Sequence, residues 1–222
     1  MNTPGFLFPV KHLTSRLLHT YADYRIGATS AEKRCYKDSD SILLTFDDYG
    51  TEREVTAILS ILRANAVKAA FFLQGNWVND NPLLVEAIKK EGHIIGNHTF
   101  SHAALRDLSS EAIVHEITAG LPGPWLRPPQ GKYNDRVRKT AAKLGYAICY
   151  WSIDSRDWTG MSAQEMERMI IKELHPGAVI LLHLHGAHTR ELLPGLIDSI
   201  RAQGYRLTDQ SETWTPDGLT YK

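Results

Sequence analysis

Two stretches of the chain bring together residue types that could do chemistry. In Thr45-Phe46-Asp47-Asp48-Tyr49-Gly50, two adjacent aspartates close the apolar run 42–46, which reads as a short strand buried on both faces. Carboxylates at the end of such a strand oppose folding unless they are paired or bound to metal. One Asp would serve as the cap of a following helix. Two in succession, followed by Tyr-Gly instead of a helix entry, fit that role poorly. The second stretch is His98-Thr99-Phe100-Ser101-His102. Histidines at i and i+4 lie on one face of a helix and are spaced to bind one metal ion. One Asp and two His make a three-ligand site that keeps open positions for water and substrate.

The elements that must position these residues follow from the hydrophobic pattern. From residue 42 onward, apolar runs at 42–46, 69–73, 93–96, 146–153, 179–182 and 205–207 alternate with helical patterns. Val55, Ile58, Leu59 and Leu62 recur at helical spacing within 52–65. Asn81-Pro82 opens a helix that runs to Glu91-Gly92. Ser162-Ala163-Gln164-Glu165 fits a capping box at the start of a helix reaching Leu174. Gly92, Gly145 and Gly204 each end a helix just before an apolar run. This alternation implies parallel strands with helical crossovers, either an open doubly wound sheet or a barrel. In both, functional groups gather at the carboxyl ends of the strands. Asp47 and Asp48, Asn97, His98 and His102, Arg127 to Gly131, Asp154, Asp157 and Trp158, and His183 all fall there. That coherence is more telling than any single motif. Of the neighbouring histidines, His185 and His188 read as bystanders to His183, and His93 and His115 as structural residues. Trp77, Trp125 and Trp151 read as core or pocket wall.

Composition narrows the class. With 222 residues, 43% hydrophobic and 23% charged, the chain can bury one sizeable core. Its formal net charge of zero gives no pointer to nucleic acid or an anionic membrane surface as partner. No apolar run reaches the ~20 residues of a transmembrane span, and residues 1–30 lack a signal-peptide pattern. The sequence as it stands reads as cytoplasmic, or as cell-envelope or secreted if a leader was removed. Cys35 and Cys149 make no disulfide framework, and Cys149 reads as a small buried residue. Residues 1–40 read as an irregular N-terminal extension with one short helix at 12–24. Residues 41–210 read as the catalytic domain, and 211–222 as a C-terminal tail.

Five segments together resemble the polysaccharide deacetylase family, the NodB-homology carbohydrate esterases. They are Thr45-Phe46-Asp47-Asp48, His98-Thr99-Phe100-Ser101-His102, Arg127-Pro128-Pro129-Gln130-Gly131, Asp154-Ser155-Arg156-Asp157-Trp158 and Leu181-Leu182-His183, in the family's order. The resemblance implies a distorted (β/α) barrel and metal-dependent removal of N-acetyl, sometimes O-acetyl, groups from glycans. It further implies Asp48, His98 and His102 as metal ligands, Asp47 as general base and His183 as general acid. Arg127 would hold Asp47 ionised and oriented, and Asp157 would do the same for His183. The backbone N–H of Gln130 would help hold the oxyanion, and Trp158 and Leu181 would form the pocket for the acetyl methyl. The chain departs from the family pattern at Tyr49, where Gly is usual, and at Gln130, where Tyr is common; both departures bear on the substrate-facing surface.

Amide hydrolysis needs a base for the attacking water, an acid for the leaving amine and stabilisation of the oxyanion, all of which this set would supply. The expected substrate is N-acetylglucosamine in peptidoglycan or chitin-type oligomers, and the expected cofactor is Zn²⁺, with Co²⁺ or Ni²⁺ also accepted by such ligands. Alternatives on the same scaffold are an O-acetyl esterase on xylan-like polymers, a small-molecule amidohydrolase and a catalytically silent carbohydrate-binding relative. A pure binder has no need of Asp47 or His183, which argues against the last.

Overall fold

Strand β1 (Ser41–Asp48) is the axis of the computed structural model, which describes residues 41–208. The expected N-terminal extension, its helix at 12–24 and the expected C-terminal tail lie outside the described residues. On one side β1 pairs with β2 (Ala70–Leu73), and on the other with β7 (Val179–His183), while β8 (Arg206–Leu207) joins its first two residues. Beyond β2 come β3 (Ile94–Asn97), β4 (Trp125–Leu126) and β5 (Ala147–Ile148), and beyond β7 comes β6 (Ile153–Asp154). Every pairing is parallel. The sheet curls as a (β/α) barrel, and the distortion is a seam: β5 and β6 stand at its two edges and do not pair with each other.

Alternation along β1 sorts its side chains between two cores. Ile42, Leu44 and Phe46 pack outward against the buried faces of helices α1 (Glu52–Ala64) and, near the chain's end, Thr189–Ala202. Leu43 packs inward with Ala70, Phe72, Trp125, Cys149 and Val179. Thr45 and Asp47 continue the inward row. The expected apolar stripe of α1 is buried at Val55, Ile58, Leu59 and Leu62. Its start carries a capping box, Thr51 with Glu54, spaced like the one at Ser162 and Glu165.

Three elements differ from expectation. β1 runs on through both aspartates, because Asp47 stays in register with His183 and Asp48 with Leu73. The apolar run 146–153 forms two short strands instead of one, since β5 pairs with β4 and β6 with β7 and the residues between them cross the seam. A short helix, α2 (Gly75–Asp80), stands before the expected helix α3 (Pro82–Lys90). Cys149 is fully buried, as expected; the chain's other cysteine, Cys35, lies outside the described residues.

His93 has the structural role expected of it. Its Nδ1 accepts the Ala69 N–H at 3.2 Å, and its ring lies tilted against Phe71. Burial, reinforced by the positive charge of Lys68 and opposed by Glu91, pushes its pKa down to about 4. An unfolded chain, with His near 6.5, therefore binds the proton more readily, so this contribution to stability is complete above pH 6.5 and is lost as pH falls to 4. His93→Gln should flatten the acid side of the stability profile in that window by on the order of 2–3 kcal/mol. Urea unfolding at pH 4.5 and pH 7 measures this; equal slopes in wild type and variant would refute it.

Candidate active site

The site is built at the carboxyl ends of β1, β3, β4 and β7, and its deepest group is Arg127, which follows β4 and is 0% exposed. Its guanidinium donates from Nη1 to Asp47 Oδ1 at 2.7 Å and to Thr45 Oγ at 2.7 Å, and from Nε to the Cys149 carbonyl at 3.2 Å. The Phe72 ring covers it, 4.0 Å from centroid to Cζ. Burial lowers its pKa and Asp47 pulls it back up; a guanidinium remains charged regardless. Asp47 is thus held inside the barrel, in the row of Leu43 and Thr45, by a partner that costs too much to bury alone.

Asp48 follows a different rule. Strand alternation would turn it outward with Phe46, but its φ of 77° swings the carboxylate back over the end of the sheet. Oδ1 lies 3.1 Å from His102 Nε2 and 3.3 Å from His98 Nε2, and accepts the Gln74 amide at 3.1 Å. Burial works against its charge, and the hydrogen bonds and charges of His102 and His98 outweigh burial, holding the carboxyl well below the usual carboxylate range. Asp47 Oδ2 is 3.8 Å from His98 Nε2, so both carboxylates border one space.

The two histidines are brought together by a loop; the helix expected from their spacing does not form. The loop after β3 turns through left-handed residues at Thr99 (φ 66°) and His102 (φ 62°). Its scaffold escaped the sequence reading. Asn97 accepts the Thr99 N–H at 2.8 Å and donates to the Ile117 and Leu121 carbonyls. Glu116, buried on α4 (Ser110–Thr118), accepts the N–H groups of Phe100 and Ser101 and the Ser101 hydroxyl. His98 Nδ1 donates to the Arg127 carbonyl at 2.7 Å, which leaves Nε2 as the ring atom that faces Asp48. Asp48, His98 and His102 offer ligand atoms within 4.8 Å of one another. One carboxylate and two imidazoles with a fixed tautomer suit a divalent metal ion.

On the other side of Asp48, Asp157 (1% exposed) gathers the end of β7. Its Oδ1 accepts from His183 Nδ1 at 2.6 Å, and its Oδ2 accepts the His183 N–H at 2.7 Å and the Thr189 hydroxyl at 2.6 Å. Gly186 permits this closeness, because a Cβ there would strike Thr189 and Asp157. Burial disfavours the imidazolium of His183. The hydrogen bond and charge of Asp157, then the charges of Asp47 and Asp48, overcome that and raise its pKa to about 9. His183 Nε2 lies 4.0 Å from Asp48 Oδ2. His185, expected as a bystander, belongs to this cluster: although the strand stops at His183, its Nδ1 is 4.0 Å from Asp48 Oδ2. His188 pairs instead with Glu191 at 3.0 Å. Asp154 braces the loop by accepting the Arg156 N–H at 2.9 Å.

The expected pocket residues part company. Leu181 is buried on β7, two residues before His183. Gln130 sits in a left-handed turn (φ 56°) with its side chain exposed. Trp158 is 64% exposed, a rim residue more than an enclosed wall. Among the described residues, five of the six non-glycine positions with positive φ (Asp48, Thr99, His102, Gln130 and Arg156) belong to these segments; the sixth is Ala66. Because Glu116 holds the loop between the two histidines, Glu116→Ala should weaken divalent-metal affinity about 10- to 100-fold while thermal unfolding stays cooperative. Competition with a chromophoric chelator measures it, and unchanged affinity would show that the loop holds its shape without Glu116.

A family model described as polysaccharide deacetylase matches residues 35–149. The chain is 33% identical over 209 residues to a peptidoglycan-N-acetylmuramic acid deacetylase of Bacillus subtilis, with 88% of this chain and 76% of the relative covered. It is 35% identical over 184 residues to a peptidoglycan-N-acetylglucosamine deacetylase of Bacillus cereus, covering 77% of this chain and 86% of the relative. Among solved structures, a CE4 family pseudoenzyme from Bacillus anthracis superposes with a TM-score of 0.73 at 28% identity, covering 80% of this chain and 68% of the other. On the family match and on relatives this similar over most of their length, the chain belongs to the polysaccharide deacetylase family.

Proposed function

We propose that the chain is a metal-dependent hydrolase that removes N-acetyl groups from N-acetylglucosamine units of a glycan, in peptidoglycan or chitin-type oligomers. The observation that carries this reading is that Asp47 and His183, each beside a charged partner, border the cluster of Asp48, His98 and His102. Asp47, beside Arg127, faces it from β1, and His183, beside Asp157, faces it from the adjacent position on β7. The named activities of the Bacillus relatives support the substrate class. One structural neighbour is a pseudoenzyme, but base, acid and ligand set are all present in this chain.

In this reading Asp48, His98 and His102 hold the metal, which we assign as Zn²⁺, with Co²⁺ or Ni²⁺ able to replace it. When bound, such an ion supplies Lewis-acid polarisation of the amide carbonyl and acidifies water. Asp47 takes the proton of the attacking water; the Arg127 charge 2.7 Å away keeps its carboxylate in place for that. His183, with a pKa near 9, arrives protonated at neutral pH and donates from Nε2 to the departing amine. Asp157 orients the imidazolium and compensates its charge. The Gln130 N–H stabilises the oxyanion, and Leu181 with Trp158 receives the acetyl methyl.

The test is acetate release from N-acetylchitooligosaccharides, peptidoglycan, acetylated xylan and small amides, with and without added metal. Release should be confined to the N-acetylated glycans, vanish on chelation and return with Zn²⁺; full turnover by verified metal-free protein would sink the scheme. His102→Ala should lower metal affinity sharply with the fold retained. Asp47→Asn and His183→Ala should each lose about 10²- to 10⁴-fold in kcat/KM while metal stays bound, whereas Asp48→Asn should lose the metal. If Asp47→Asn loses metal as severely as Asp48→Asn, Asp47 is a ligand and the division of labour fails. Asp157→Asn removes the carboxylate that raises His183, so the basic limb of the pH–rate profile should move to lower pH; an unmoved limb would exclude His183 as the acid.

A further inference from the structure

Tyr49 stands directly after the ligand-side aspartate, and its ring is 47% exposed although it is a large aromatic beside a mostly buried site. It is not loose. The ring stacks on His185, with centroids 4.8 Å apart and planes 11° apart. His185 in turn meets the His183 ring edge-on at 5.8 Å and lies 4.0 Å from Asp48. The backbone on either side is pinned as well. Asp48 is fixed by its turn and its partners, the Gly50 carbonyl accepts from the Trp77 indole at 3.1 Å, and Thr51 is tied into the capping box of α1. His185 is anchored through Gly186, whose N–H donates to the His183 carbonyl and whose position admits no Cβ.

A ring with one face covered by His185 presents its other face and edge to solvent, next to the groups that would grip an acetamide. Neither the metal cluster nor the proton-transfer pair uses it. A rigid, amphipathic ring held in place before binding gives contact area at little entropic cost. The apolar C–H face of a pyranose ring is the ligand chemistry it fits. We infer that Tyr49, propped by His185, is a platform for the sugar ring adjoining the one that is deacetylated, and so selects oligosaccharide over shorter substrates. This rests on the N-deacetylase reading above. Tyr49 acts on substrate position and specificity, not on bond breaking.

The experiment uses the zinc-loaded full chain with a ladder of N-acetylchitooligosaccharides from monomer to pentamer, and the variants Tyr49→Ala, Tyr49→Phe and His185→Ala. In Tyr49→Ala, KM for the pentamer should rise about 3- to 10-fold, as expected for loss of one aromatic contact, with kcat within twofold. On the shortest oligomer that the wild type turns over, both constants should stay within twofold. Tyr49→Phe should match the wild type, and His185→Ala should show part of the pentamer KM defect. Equal defects on long and short substrates, no defect on the pentamer, or failure of Phe to substitute would each overturn the platform. If the wild type releases acetate from neither these oligomers nor peptidoglycan, the N-deacetylase reading fails instead. Calorimetric affinity for the pentamer in wild type and Tyr49→Ala then decides the platform by itself.

Discussion

The interaction on which the site depends is the buried pairing of Arg127 with Asp47. A guanidinium with no solvent contact is tolerated only when its donors are matched, and here they are matched by Thr45 and Asp47 on β1 and by the Cys149 carbonyl just after β5. The same residue offers its carbonyl to His98 Nδ1. One arginine therefore fixes the orientation of the Asp47 carboxylate and the tautomer of His98. Losing the guanidinium would leave Asp47 as an unpaired buried charge and empty the space under Phe72, so its removal disturbs barrel and chemistry together.

Against that fixed centre, the remaining groups are held by local backbone strain. Left-handed conformations cost non-glycine residues free energy and persist only where the surroundings over-determine them. At Asp48, Thr99 and His102 the compensation is visible: the Gln74 amide, the Asn97 carboxamide and the Thr99 hydroxyl each satisfy groups that the unusual turns expose. Such turns escape periodicity by their nature. The sequence showed which residue types meet, and at which ends of which strands, because apolar runs and their polar terminators are written locally. It misled on how His98 and His102 meet, since a four-residue spacing reads as helix whenever tertiary partners are unknown. Asn97 was placed at a strand end without a role and Glu116 gave no signal, since their role lies in hydrogen bonds across 20 and 15 residues. His185 was set aside on strand periodicity, yet the chain bends after His183 and returns its ring to the site. The family resemblance alone separated the adjacent aspartates by role. The roles remain a proposal, while the separation of their partners comes as much from the φ of Asp48 as from alternation.

The barrel is marked by the same economy. Its seam between β5 and β6 lies where one apolar run had been read as one strand, and the residues that cross it include Cys149, whose carbonyl and sulfur both approach Arg127. The irregular part of the sheet is thus the part that delivers backbone acceptors to the buried cation.

The pairing of Asp47 with His183 across β1 and β7 also sets an order of events in time. These partners are 136 positions apart in the chain but neighbours in the sheet, so their contact demands closure of a very long loop. A chain emerging from the ribosome can place Asp48, His98 and His102 near one another once β1 to β4 have paired and Glu116 and Arg127 have been made. His183, the proposed proton donor, arrives only after Asp157 and β7 have been made and have docked against the far side of the first strand. A nascent or truncated chain would thus complete its three-ligand cluster well before it could complete a catalytic cycle, and competence would be the last property that synthesis confers.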